Sequence, residues 1–204
     1  MPRAGLTPVV VVREAADLAD EIGYDALTLT AVAARLNVAV PSLYKHVGSL
    51  EDLRRGVALV AVEELGTAIR AAIDEAEAGR RESGPERDGD ERHSDIHAVA
   101  TAYRRYALDH PGRYAATVRA APAADRQLRA AGDAVVGTVL GVLEATGLQG
   151  DDLVHAARGL RAALHGFVDL ETSGGFGLPQ DVERSFEWMV DAFEVGLRPA
   201  VGTV

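Results

Sequence analysis

Cysteine is absent from this chain of 204 residues, and lysine occurs only once, at Lys45. Without cysteine, the chain can form neither a disulfide bond nor a thiolate metal site. No apolar run approaches the ~20 uncharged residues that a membrane-spanning helix needs, and the first residues carry no recognisable secretory signal. Aromatic residues make up only 5% of the chain, and the abundant Ala, Val and Leu favour packed helices over a β-sandwich. We therefore expect a cytoplasmic helical protein that does not use a membrane.

Negative charge predominates, with 31 acidic residues against 21 Lys and Arg and a net charge of −10. Nucleic acids are polyanions, so this balance argues against a general affinity for them. The acidity is unevenly spread, because residues 1–55 hold six bases and seven acids, a net charge of −1. The other 149 residues hold 15 bases and 24 acids, a net charge of −9. Any contact with DNA must therefore use a small, local surface.

The N-terminal segment contains clear signals for the start and end of helices. Thr7 is suited to cap a first helix, Pro8 fits its first turn, and Gly23 is suited to end it. The following stretch, LTLTAVAARL, has apolar residues at helical spacing and predicts a short second helix. Either Thr28 or Thr30 is able to cap this second helix.

A third short helix is predicted after a sharp turn. Asn37 tolerates a positive φ better than other non-glycine residues, so it is suited to the turn. Pro41 fits the first turn of the third helix, and Leu43 and Val47 recur four residues apart on its core side. Ala33 is small enough for the second and third helices to pack closely. Two short helices joined in this way form a helix-turn-helix.

The rest of the chain continues the helical pattern, and no segment alternates as a strand would. Ser49, with an acid three residues later, predicts the start of a long helix at 49–78. The stretch 79–94 is highly charged and lacks aliphatic side chains, which predicts a disordered linker. We predict an all-α protein of about nine helices. It comprises a three-helix head at 1–50, which contains the helix-turn-helix, and a larger helical domain at 51–204.

The third helix offers side chains that suit the major groove of DNA. Lys45 provides a charge for a phosphate or for guanine, and Tyr44 provides a hydroxyl for phosphate and a flat ring for a sugar or a thymine methyl. Ser42 is short enough for the backbone to come close. No acid occurs between Asp25 and Glu51. The complete set of predicted DNA contacts is Arg3, Thr28, Thr30, Val40, Pro41, Ser42, Tyr44, Lys45 and His46.

The stretch TAVAARLNVAVPSLYKHVGSLEDL resembles the DNA-binding domain of the TetR family of bacterial transcriptional repressors, most specifically over residues 7–65. LRAALHGFVDLE is similar to the His-Gly-containing helix of one C-terminal subgroup of that family. Leu50 departs from the pattern, because many members carry there a lysine that contacts phosphate. The resemblance implies a repressor that binds a palindromic operator as a homodimer and is released by a small-molecule ligand. In such a repressor the head at 1–50 is the DNA-binding domain, and 51–204 is the regulatory and dimerisation domain.

Two apolar rows lie on the last two predicted helices and are wider than one neighbouring core requires. They predict a four-helix interface between two copies of the chain. The alternative is that both rows belong to the core of a single chain. The predicted dimerisation residues are Leu153, Ala157, Leu160, Leu164, Val182, Phe186, Met189, Val190, Phe193 and Leu197.

The resemblance also implies a pocket for an unidentified small molecule in the larger domain. Aromatic side chains with a few polar tips are typical of such pockets. Tyr103 and Tyr106 suit a helical core equally well, and His165 is also suited to bond a helix carbonyl. The candidate ligand-binding residues are Tyr103, Tyr106, Tyr114, His165 and Phe167.

Motifs of common enzymes are absent from the sequence. There is no P-loop, nucleophile elbow or His-Glu-x-x-His pattern, and the glycine-rich stretch 174–177 follows a helix where a phosphate loop would follow a strand. His93 and His97 have helical spacing, but only Asp95 would add a third ligand, so we expect no metal site. We predict a regulator without catalytic activity or cofactor. The alternative is an acidic helical adaptor that binds other proteins and not DNA.

Overall fold

A computed structural model of the protein describes residues 6–83 and 94–197. The described residues form α-helices and one 3₁₀ helix but no strand, which confirms the predicted all-α fold. No helix among them is long and apolar enough to span a membrane. The nine α-helices are α1 (Pro8–Ile22), α2 (Leu29–Arg35), α3 (Val40–Leu43), α4 (Leu50–Ser83), α5 (Asp95–Asp109), α6 (Pro111–Thr117), α7 (Arg126–Glu144), α8 (Gly150–Thr172) and α9 (Val182–Leu197), and the 3₁₀ helix is Tyr24–Ala26.

The predicted boundaries of α1 are confirmed by its hydrogen bonds. The hydroxyl of Thr7 accepts a hydrogen bond from the backbone N–H of Val10 at 3.3 Å, so it satisfies one of the free amides of the first turn. At the other end, Gly23 has φ = +90° and donates its N–H to the carbonyl of Ala19 at 2.8 Å. This conformation is open to glycine at little cost.

The long helix α4 extends further than the sequence predicts. Residues 79–83 are helical, so the predicted disordered linker at 79–94 is wrong for this part. The charges that suggested a solvated linker stabilise the helix here, because Arg81 bonds Glu77 one turn earlier at 2.8 Å. The central part of the predicted linker, 84–93, lies outside the described residues.

The chain divides into two compact units. The first comprises Met1–Glu64 and Asp109–Asp133, and the second comprises Leu65–Leu108 and Ala134–Val204. The first unit therefore combines the predicted head with α6, which lies far away in the sequence. Each unit has its own core of buried apolar side chains.

The core of the first unit determines which side of each short helix faces outward. Leu27, Val32, Leu43, Leu53 and Val57 are fully buried in it. Burial of one such side chain contributes roughly 1.5–3 kcal/mol. These anchors come from the segment before α2, from α2 itself, and from α3 and α4. They fix the helix-turn-helix against the rest of the unit.

Candidate DNA-binding site

The turn between α2 and α3 has a single well-defined conformation. Asn37 adopts φ = +53°, and it is the only residue other than glycine with a positive φ in the described parts of the chain. The next amide, that of Val38, donates to the carbonyl of Ala33 at 3.0 Å. This combination of a left-handed residue and a backward hydrogen bond closes the end of α2. The predicted turn at Asn37 is confirmed.

Helix α2 begins at a side-chain cap. The hydroxyl of Thr28 accepts the N–H of Ala31 at 3.1 Å, which resolves the choice between Thr28 and Thr30 in favour of Thr28. Both threonines are exposed. The O–H of Thr28 is still available as a donor, since capping uses only its acceptor lone pair.

Helix α3 is short, but its last residues continue into a hydrogen-bonded turn. The amides of His46 and Val47 both donate to the carbonyl of Leu43, at 2.8 and 3.0 Å. Leu43 and Val47 are buried, as predicted from their spacing. Because these two residues hold the turn to the core, Tyr44 and Lys45 project outward.

The predicted DNA contacts differ in their exposure. Tyr44 is 56% exposed, which is unusual for a large aromatic ring, and Lys45 and Pro41 are also exposed. Val40 is partly buried and packs against the head core, so its side chain is suited to positioning the helix. Ser42 and His46 are partly exposed, and Arg3 lies outside the described residues.

The electrostatics of the helix-turn-helix depend on which cations are already paired. Between residues 26 and 50 there are two, Arg35 and Lys45. Arg35 donates to Glu21 at 2.8 Å and to Glu14 at 3.0 Å, and these hydrogen bonds raise its pKa above the usual range for arginine. Lys45 has no ion pair in the part of the chain that the structure describes. Lys45 is therefore the unpaired cation of this surface.

Arg54 holds the segment that precedes α2 and was not predicted from the sequence. Its guanidinium donates to the carbonyls of Asp25 at 2.8 Å and Leu27 at 3.1 Å, directly before the cap of α2. It also lies 5.9 Å from the ring centroid of Tyr24, whose hydroxyl donates to the carbonyl of Arg54. Burial raises the pKa of Tyr24. The sequence signal is weak, since it amounts to a cation next to the buried Leu53.

Helix α6 is bonded to α1 inside the first unit. The backbone N–H of Arg113 donates to Asp20 Oδ1 at 2.8 Å, and its guanidinium also contacts Asp17 and Asp20. The preceding Gly112 leaves no room for a side chain, because a Cβ there would lie 1.9 Å from the carbonyl oxygen of Ala19. This close approach explains why α6 belongs to the same unit as the head.

The two predicted dimerisation rows are largely covered within a single chain. Leu160, Leu164, Phe186 and Val190 are buried in the core of the second unit, and the other six predicted residues are partly buried against it. This is the placement that the single-chain alternative predicts for the four buried residues. The faces of α8 and α9 that remain exposed carry His155, Ala162, Trp188, Ala192 and Val195.

The candidate ligand residues do not all lie in one unit. Tyr106 and Phe167 are buried in the core of the second unit, and Tyr103 and His165 of that unit are partly exposed. Tyr114 is buried in the first unit, so the structure does not group it with the other four.

The second unit contains a buried arginine whose role was not predicted from the sequence. Arg104 forms a bidentate pair with Glu171 at 2.8 and 2.7 Å and donates to Glu183 at 2.6 Å. Its guanidinium lies 4.7 Å from the ring centroid of Phe186. Hydrogen bonding to Glu171 is the main reason that its pKa is raised. The arginine links α5 to the end of α8 and the start of α9.

Metal ligation has no support in the described residues. They contain no group of three or more His, Cys, Asp or Glu side chains that could hold a metal ion. His97 is buried, with Nε2 2.7 Å from Asp191 Oδ1. Its predicted companion, His93, lies outside the described residues.

Two short helices in tight contact, with an outward-facing aromatic ring and an unpaired cation, define a helix-turn-helix DNA-binding domain. A family model described as "Bacterial regulatory proteins, tetR family" matches residues 11–57. A second one, described as "Tetracyclin repressor-like, C-terminal domain", matches residues 96–193.

Sequence similarity to two transcriptional regulators agrees with these family matches. The chain is 32% identical to the HTH-type transcriptional regulator YobS of Bacillus subtilis, over 96% of this chain and 95% of that one. It is 37% identical to the HTH-type transcriptional regulator Rv0681 of Mycobacterium tuberculosis, over 84% of this chain and 72% of that one. The protein belongs to the TetR family of transcriptional regulators and is a DNA-binding regulator.

The fold also has close counterparts among solved structures. One is the Streptomyces coelicolor TetR family protein ActR in complex with (S)-DNPA, with a TM-score of 0.64. The alignment covers 98% of this chain and 100% of ActR, at 21% sequence identity. This likeness shows a shared fold.

Proposed function

We propose that the protein is a cytoplasmic repressor that binds a palindromic operator as a homodimer and is released by a small molecule bound in its second unit. The observation that carries the proposal is the unpaired, exposed Lys45 beside the exposed ring of Tyr44. They belong to a segment, residues 26–50, that contains no acidic residue, in a protein with a net charge of −10. Such a surface is suited to approach a polyanion that the rest of the chain repels.

The proposed contacts are of two kinds: those to bases in the major groove and those to the phosphate backbone. Tyr44, Lys45, Ser42 and Pro41 lie on or next to α3 and face the major groove in this proposal, with His46 at the edge. Thr28 and Thr30 donate hydroxyls to phosphates, and Val40 holds α3 in place. Arg3, which lies outside the described residues, is a further proposed phosphate contact.

A homodimer supplies the second recognition helix. Two such helices read half-sites one helical turn apart, about 34–36 Å, which makes the operator a palindrome. For the interface we favour the exposed faces of α8 and α9, because Trp188 is 73% exposed and Val195 is 53% exposed. Both side chains lie on α9, and Val154 and Leu170 are the exposed large apolar residues of α8. Large apolar side chains exposed on a helix surface are typical of interaction surfaces. The buried members of the predicted rows then support this face from beneath.

Release by a ligand follows from linkage. A ligand that prefers a conformation unsuited to DNA lowers DNA affinity by the same factor by which DNA lowers its own. Tyr103, Tyr106, His165 and Phe167 of the second unit are the proposed lining. The ActR complex with (S)-DNPA supports the proposal that this fold accommodates a small organic molecule.

The test begins with DNA of defined sequence. A duplex is selected from a random-sequence library on the purified protein, and its affinity is measured by fluorescence anisotropy at stated salt concentrations. Lys45→Ala and Tyr44→Ala are expected to weaken binding by about tenfold or more, since each removes a groove or phosphate contact.

A matched control distinguishes a local contact from the loss of total charge. Arg105→Ala removes one positive charge from an exposed position on α5 in the second unit, and it should leave DNA affinity nearly unchanged. If the wild-type protein enriches no sequence and binds no duplex at low salt, the repressor proposal fails, and the adaptor alternative is favoured. If Lys45→Ala and Arg105→Ala weaken binding equally, the proposed surface is wrong.

A further inference from the structure

Twenty of the 21 basic Lys and Arg side chains in this protein are arginines, and the exception lies at the proposed DNA surface. The two side chains differ chemically. A lysine amine is a target of acylation and loses its charge on modification, whereas an arginine guanidinium remains charged. The protein therefore has a single side-chain amine that an acyl donor is able to neutralise.

The surroundings of Lys45 leave this amine accessible. It lies on the turn that follows α3, its side chain is exposed, and no ion pair holds it in the described parts of the chain. The anchors of the turn, Leu43 and Val47, point the other way into the core. Modification of Lys45 therefore requires no unfolding and disrupts no described contact.

The charge of Lys45 has no substitute within residues 26–50. Arg35, the other cation between residues 26 and 50, is bonded to two glutamates of α1. Loss of the lysine charge would leave the helix-turn-helix without a free cation among residues 26–50. A change at one atom would therefore alter the electrostatic character of the whole surface.

We propose that Lys45 is an acylation site whose modification weakens DNA binding, a proposal that rests on the proposed function. The donor is an acyl thioester such as acetyl-coenzyme A. The ammonium of Lys45 first gives a proton to solvent, and the amine nitrogen then attacks the carbonyl carbon of the thioester. A C–N bond forms, the C–S bond breaks, and the leaving thiolate takes up the second proton of the amine through solvent. The product is a neutral amide that is longer than the lysine side chain.

The consequence for DNA binding can be stated quantitatively. A hydrogen bond to a charged group is lost in each subunit, which corresponds to about a tenfold loss of affinity per recognition helix. The slope of log K against log salt concentration should become shallower by about one for each helix, because one fewer counterion is released.

The experiment uses the full-length protein and the duplex selected on it. The protein is incubated with acetyl-coenzyme A, the occupancy of Lys45 is measured by peptide mass spectrometry, and DNA affinity is measured by anisotropy before and after treatment. Lys45→Arg is the matched control, since it keeps the charge and cannot be acylated under these conditions. Lys45→Gln imitates the neutral amide.

We expect the treated wild-type protein and Lys45→Gln to bind at least tenfold more weakly than the untreated protein. Lys45→Arg should bind within a few-fold of wild type, and treatment should not affect it. Far-UV circular dichroism confirms that each protein is folded. Unchanged DNA affinity at full acylation of Lys45 would overturn the inference. So would an acylation rate of Lys45 in the folded protein that is no faster than that of a buried lysine in a reference protein. If neither the untreated protein nor Lys45→Arg binds DNA, it is the proposed function that fails.

Discussion

The contact between α6 and α1 leads to a sharp prediction about Gly112. A Cβ at this position would lie 1.9 Å from the carbonyl oxygen of Ala19 and 2.5 Å from the amide nitrogen of Asp20. Both are backbone atoms, which cannot move aside as a flexible side chain can. Side-chain Cβ atoms essentially never come closer than 3.0 Å to another heavy atom, so Gly112→Ala must separate the two helices by about 1.1 Å.

The cost of this substitution combines opposing terms. Alanine gains roughly 0.5–1 kcal/mol over glycine within a helix. Forced separation of packed elements costs about 1–3 kcal/mol, and the hydrogen bond from the Arg113 amide to Asp20 contributes about 1.5–3 kcal/mol more because its acceptor is charged. The unfavourable contributions are larger, so we expect a net destabilisation of about 1.5–5.5 kcal/mol.

Urea unfolding followed by far-UV circular dichroism measures the free energy of unfolding, and hydrogen exchange of peptides from α1 and α6 shows where the loss occurs. Gly137→Ala is the matched control, because this glycine lies in a helix and the added Cβ would meet no atom within 4 Å beyond its chain neighbours and its own helix backbone. It should be neutral or slightly stabilising. A Gly112→Ala protein as stable as Gly137→Ala would refute the close approach of α6 to α1.

Three further predictions concern charges and the exposed tryptophan. Arg104→Met leaves its carboxylate partners unpaired and should lower the free energy of unfolding by about 2–3 kcal/mol in urea titrations; this is below the range for a fully buried pair, because Glu183 is 59% exposed. Hydrogen bonding from Arg55 lowers the pKa of Asp125 below the usual aspartate pKa of 3.8. The pair should therefore stabilise the protein at a pH above 3.8, and this stabilisation should be lost as the pH falls further. The melting temperature of Asp125→Asn should therefore change less between pH 6 and pH 3 than that of the wild type. Equal slopes of melting temperature against pH for the two proteins would contradict the pairing. Trp188→Arg should shift sedimentation equilibrium towards monomer, and an unchanged distribution would exclude this residue from the interface.

Features that depend on neighbouring residues were predictable from the sequence. The cap at Thr7, the helix end at Gly23 and the left-handed turn at Asn37 follow from local backbone chemistry, and the structure confirms each of them. The outward direction of Tyr44 and Lys45 follows in the same way, because the buried Leu43 and Val47 fix the orientation of the turn.

Features that depend on distant partners were not predictable. The contact of Gly112 with Ala19 joins residues more than ninety positions apart, and nothing in either helix marks the other as its partner. Arg104 likewise pairs with Glu171 across the sequence. An apolar stripe at helical spacing shows only that a helix buries one side, and it does not tell a core from an interface. The predicted dimer rows therefore include residues such as Phe186 that the single chain already buries.

The small number of cations on the proposed DNA-binding surface leads to a final prediction about how DNA affinity depends on salt concentration. Each cation that neutralises a phosphate contributes about −0.9 to the slope of log K against log salt concentration. Lys45 supplies one such cation per subunit among residues 26–50, and Arg3 adds at most a second. Hydroxyl contacts from Tyr44 and Thr30 release no counterion, so a dimer should show a slope between about −2 and −4. Anisotropy titrations from low to moderate salt measure this slope. A value steeper than about −6 would show that cations outside this surface contact the operator, because the residues assigned to it could not account for so many released ions.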